Sequence, residues 1–238
     1  MKPFRELDRV LRGERLAGQS TRSLFAVNVF LAALYGCCMG SFGLFGRDDP
    51  EYRQVLASGL KVPALFLLTL AVTFPSLYVF NTILGTRLPF GKLVRALTAS
   101  MGVLIAVLAS LGPIVAFFSA TTSNYSFILI LNVVVFSTAG LFGAVYLVKL
   151  LTRESQVETL LEPDEDAPLR VTARPTQGTG LGAVFYVWLV ACALVGTQMA
   201  WVLRPFVGSP WLAFTWFRPR DGSFFEAVVK SLRQLSGS

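Results

Sequence analysis

The stretch Ala96-Leu-Thr-Ala-Ser-Met-Gly-Val-Leu-Ile-Ala-Val-Leu-Ala-Ser-Leu-Gly-Pro-Ile-Val-Ala-Phe-Phe118 carries no charged side chain, and its reading decides the fold. A bilayer core about 30 Å thick needs roughly 20 apolar residues to be crossed as a helix. Four more runs of this kind flank it: about Leu24 to Phe45, Val62 to Leu84, Ser126 to Leu150 and Gly182 to Leu203. No Asp, Glu, Lys or Arg interrupts the five apolar cores, with Lys149 at the end of the fourth run. Composition agrees: 54% of the 238 residues are hydrophobic, 15% are charged, and mean hydropathy is +0.61. That is too little charge to cover a soluble domain of this length. The expected fold is an all-α polytopic membrane protein with about five transmembrane helices and an amphipathic surface helix at each end.

Prolines punctuate the runs. Pro63 is expected in the first turn of the second span and Pro75 in its interior, where it bends the helix. Gly112-Pro113 is expected to kink or stop the third.

Five segments follow from this reading. Residues 1–22 form a basic cytoplasmic head in which Phe4, Leu7, Val10 and Leu11 recur at helical spacing among arginines, as in a helix lying on an anionic membrane face. Residues 23–151 form a four-helix transmembrane block. Residues 152–180 form an acidic, Pro- and Gly-containing linker, 181–204 the fifth transmembrane helix and 205–238 an interfacial tail. With the N-terminus inside, 13 Lys and Arg fall in inner segments and 8 in outer ones. The positive-inside rule then favours N-in and C-out. A re-entrant element between Pro205 and Phe217 would change that count.

Several chemistries find no support in these residues. Histidine is absent and net charge is +7; in a membrane chain such basicity serves orientation and headgroup contact, not nucleic acid. Cys37, Cys38 and Cys192 lie in apolar runs without metal-ligand spacing, and read as small buried residues. Asp164-Glu-Asp166 reads as solvated linker. No catalytic motif, phosphate loop or metal site appears, so neither catalytic residues nor a cofactor are expected.

The remaining motifs concern packing. Gly36 and Gly40 in the first span, and Gly140 and Gly143 in the fourth, make small-residue faces that let helices approach closely. Asn28, Asn81 and Asn132 place one asparagine in each of three spans. Asn81, Asn132 and Gln198, with Thr73, Ser76, Ser137, Thr138 and Thr197, are the candidates for a polar path, although interhelical hydrogen bonding is the plainer reading. In the tail, Trp201, Arg204, Phe206 and Trp211 form a floor beside an amphipathic helix. That helix has a Ser223/Glu226 capping box and an apolar face of Phe224, Phe225, Val228, Val229, Leu232 and Leu235. Its apolar face is expected to rest on the headgroup region, on the outer ends of the chain's own spans or on a partner protein, for which Phe225 and Val229 are the central candidates.

The segment Gln198 to Gly208, with Trp211, Trp216, Arg218 and Phe224 to Lys230, resembles part of uncharacterised multi-span bacterial membrane proteins. The layout of five spans after a polar head is similar to that of the Yip1-like class. Neither resemblance implies an activity. The expected role is a non-catalytic subunit or scaffold of a bacterial inner-membrane complex, with the bilayer and other membrane subunits, or further copies of the chain, as partners. The alternative is a small transporter or permease subunit.

Overall fold

The computed structural model describes residues 2–13, 21–45, 50–83, 89–161, 178–209, 211–218, 222 and 224–236. Eight helices appear in it: α1 (Lys2–Leu11), α2 (Thr21–Gly40), α3 (Phe42–Phe45), α4 (Tyr52–Ile83), α5 (Phe90–Thr121), α6 (Tyr125–Leu161), α7 (Gly178–Leu203) and α8 (Phe224–Ser236). No strand occurs among the described residues. Five helical stretches, α2 with α3 and then α4 to α7, are long and apolar enough to cross a membrane. The chain has an all-α polytopic membrane fold.

In lipid, apolar side chains gain nothing by leaving the acyl chains, so close backbone approach and hydrogen bonds must join the helices. Glycine supplies the approach between α2 and α4. A Cβ placed on Gly36 would lie 2.9 Å from the Gly59 Cα, and one on Gly40 would lie 2.9 Å from the Val55 Cα. No Cβ fits there. On the far side of α2, Gly102 of α5 accommodates Asn28, and the Asn28 side-chain amide donates to the Thr98 carbonyl at 3.0 Å. Gly143 sets α6 against Ser100 and Leu104 of α5. Thus α2 stands between α4 and α5, α6 packs on α5, and α7 packs mainly on α4.

Tyr35, Phe42, Ile105, Leu108 and Ile128 fill the main core, which also takes in Phe206 and Val207 from beyond α7. Toward the other end, Leu77, Leu93, Leu97, Leu147, Leu151 and Trp188 form a second cluster. Helix α1 packs at this end, on the surface of the bundle. Its Leu7 and Val10 pack on Leu24, Val27, Ala99 and Val103 of the bundle itself, while Phe4 and Leu11 face outward.

Three helix boundaries differ from the sequence expectation. Helix α4 begins ten residues before Val62, at Tyr52, so Pro63 lies well inside it and Lys61 belongs to a membrane-spanning helix. Helix α5 continues through Pro113 to Thr121. A proline removes one backbone bond, whereas ending the helix in lipid would expose several. Helix α6 runs to Leu161, into the stretch expected as linker; Asp164 to Asp166 lie outside the described residues.

Candidate functional site

Beyond Leu203 the chain stops being helical but does not leave the bundle. Pro205, Phe206, Val207, Gly208 and Ser209 are all buried. Backbone at that depth needs partners for its carbonyls, and α4 provides them from one face. Gln54, Ser58 and Lys61 stand at i, i+4 and i+7, the spacing of a single helical stripe. The Gln54 amide donates to the Phe206 carbonyl at 2.7 Å and to that of Pro205 at 3.3 Å. The Ser58 hydroxyl donates to the same Phe206 carbonyl. Lys61 is only 3% exposed. Its Nζ donates to the Pro205 carbonyl at 3.0 Å and to the Trp216 carbonyl, and lies 5.2 Å from the centre of the Phe217 ring.

The loop closes on itself as well. The Arg218 amide donates to the Arg204 carbonyl at 3.4 Å. The Arg204 guanidinium lies 3.6 Å from the centre of the Trp201 ring, and the Trp201 indole N–H donates to the Gly222 carbonyl at 3.0 Å. Gly208 is required by the fit: a Cβ there would meet Gln54 Cγ at 3.1 Å and Gly43 Cα at 3.4 Å. Residues 204–209 and 211–218 therefore form a cap, locked onto the bundle end where α4 begins and α7 finishes.

The tail residues singled out from the sequence separate into two groups. Phe206 is 8% exposed and belongs to the core; Trp201 and Arg204 engage one another in the cap. Trp211, at 77% exposure, rests one edge on Tyr125 and otherwise faces outward. Helix α8 is pinned to α6 by a 2.6 Å hydrogen bond in which Ser126 donates to Gln234. It buries Ser231 and leaves Phe225 at 53% and Val229 at 47% exposure, with Leu232 beside them. Its expected apolar face is thus turned partly away from the bundle. Ser223 lies outside the described residues, and Glu226 folds back against Gly222.

The candidate path residues do not converge. Asn132 is buried inside the bundle, where its side-chain carbonyl accepts from the Tyr35 hydroxyl at 2.9 Å and its amide donates to the Ile128 carbonyl at 2.8 Å. The Thr73 carbonyl and the Ser76 hydroxyl accept from the Trp188 indole at 3.3 and 3.1 Å, joining α4 to α7. Gln198 is on the exposed side of α7, Ser137 is exposed on α6, and Thr138 and Thr197 bond back to carbonyls of their own helices. The Asn81 side chain lies outside the described residues. Of the glycines, Gly140 faces open space, unlike Gly36, Gly40 and Gly143.

Sequence reasoning missed Gln54, Ser58 and Lys61 altogether. The signal was present as three polar residues on one stripe, but Lys61 was read as the boundary of the span. Compared with known protein families, curated proteins and solved structures, the chain matches none, and the two resemblances drawn from its sequence assign no family.

Proposed function

We propose that the chain is a non-catalytic membrane subunit or scaffold that holds partner proteins at the bilayer of a bacterial inner membrane. The observation that carries this reading is the construction of the cap end. Three buried polar side chains of α4, one of them a lysine, hold a non-helical segment in a fixed position. At the same end of the bundle, Trp211 of the cap and Phe225, Val229 and Leu232 of α8, which packs on α6, present large apolar side chains outward. On a soluble protein, an exposed apolar cluster rimmed by polar residues marks a protein or membrane contact; Lys230 and Arg233 supply such a rim on α8, which fits a partner docked at the bilayer surface.

The transporter alternative draws less support. Asn132 is engaged with Tyr35 in the interior while Gln198 is on the outer side of another helix, so the two do not line one route.

The test is purification of the tagged native protein in mild detergent, with identification of what accompanies it, for wild type, Phe225→Asp and Val229→Asp. Both positions are exposed, so the fold should survive, and a carboxylate in an apolar contact carries several kcal/mol of desolvation. Stoichiometric partners lost in both variants support the scaffold. A solitary monomer stabilised by a small solute, with both variants unchanged, removes it.

A further inference from the structure

Helices α4 and α5 follow one another in the chain, yet their backbones stay apart, and Phe74 and Tyr78 reach Phe90 only through their side chains. The reason lies in α2: its glycine face draws in the first half of α4, at Val55 and Gly59, while Asn28 and its neighbours pack on α5. The second half of α4 is left splayed from the first half of α5. Leu67, Leu70, Ala71 and Phe74 of α4 face Phe90, Val94 and Leu97 of α5 across a groove of about 260 Å³.

Every one of these side chains is apolar, and Ala71 gives the groove its depth between the bulkier Leu67 and Phe74. One end is bounded by aromatic rings: Phe74 meets Phe90 edge-on at 5.1 Å, and Tyr78 meets Phe90 at 6.1 Å. From Phe90 to Leu97 the groove follows α5 for about 10 Å at 1.5 Å per residue. It begins in the first turn of a membrane-spanning helix and runs into the bilayer.

We propose that this groove is a binding site for one acyl chain of a membrane phospholipid, drawn from the leaflet that meets the start of α5. Its shape and depth select the ligand class. Among the described residues the walls offer no hydrogen-bonding side chain to hold a polar solute, whereas a narrow hydrocarbon regains the dispersion contacts that the splayed helices forfeit. The groove opens sideways where acyl chains are the solvent, so the ligand has a direct route in. This site is independent of the cap end and of any partner bound there.

Native mass spectrometry of detergent-purified protein tests the assignment by counting retained phospholipids. Ala71→Phe fills the groove from the α4 wall and Val94→Phe from the α5 wall; Leu141→Phe is the control, on an exposed face of α6 at 68% exposure. Circular dichroism and elution volume check that each variant folds. Wild type and Leu141→Phe are expected to keep a phospholipid that whichever groove variants fold have lost. Equal phospholipid retention by a folded groove variant, or wild type stripped bare by the same mild detergent, overturns the proposal. Should neither groove variant fold, wild type is photocrosslinked in nanodiscs to a phospholipid carrying a photoreactive acyl chain. Label concentrated on Leu67, Ala71, Phe90 and Val94 supports the site, and label spread evenly over exposed apolar faces such as Leu141 refutes it.

Discussion

Replacing Lys61 by methionine keeps most of the side-chain volume and removes the donor. The Trp216 carbonyl then loses the amine bonded to it, and the Pro205 carbonyl is left with the longer bond from Gln54 at 3.3 Å. Losing a hydrogen bond from a charged donor costs about 1.5–3 kcal/mol, and the lost attraction to the Phe217 ring adds about 0.5–2 kcal/mol. Against this stands relief of the desolvation of a buried ammonium. That relief offsets part of the loss, because the ammonium is only 3% exposed. The expected net loss is about 2 kcal/mol, concentrated in the cap. A loss of that size raises the open fraction of the cap about thirtyfold. Proteolysis that samples the open form should accelerate by a similar factor. Limited proteolysis in mild detergent, followed by mapping of cuts within 204–218, reads this directly. If Lys61→Met is cut at the wild-type rate and its unfolding is unshifted, the amine is not what holds the cap, and the account of the site fails.

Three further outcomes follow from the packing. Asn132→Ala and Tyr35→Phe should each lose roughly 0.6–2 kcal/mol, and the double variant should lose less than the sum, as measured in a double-mutant unfolding cycle. Gly36→Ala should destabilise by about 1–3 kcal/mol through overpacking against α4, whereas Gly140→Ala should be neutral or gain up to about 1 kcal/mol of helix propensity; thermal unfolding of the pair separates a packed glycine from an open one. Reporter fusions at positions 160 and 238 should score on opposite sides of the membrane, and matching scores would mean an even number of crossings.

The five spans were legible because uncharged runs of membrane length have few other uses. The beginning of α4 was not, since Gln54 and Lys61 look like loop residues until their partners are known, and those partners are 152 and 155 residues away. No local pattern encodes that pairing. Helix α8 shows the same limit in a milder form. Its amphipathic periodicity was readable, but the bond from Ser126 to Gln234 sets its rotation, which exposes Phe225 and Val229. Gly36 and Gly140 likewise read as equivalents, and only the neighbouring helix distinguishes them.

The separation of Lys61 from Trp216 also dictates an order of assembly. At 5–20 residues per second, the 155 residues between them take about 10–30 s to synthesise. During that interval the polar stripe of α4 has no carbonyls to satisfy, and a lysine in hydrocarbon without partners is costly. The first turns of α4 must therefore wait at headgroup level, where water reaches Gln54 and Lys61, and settle into the bundle only when the tail arrives. Pro205, Phe206 and Trp216, made after the fifth span, complete the second.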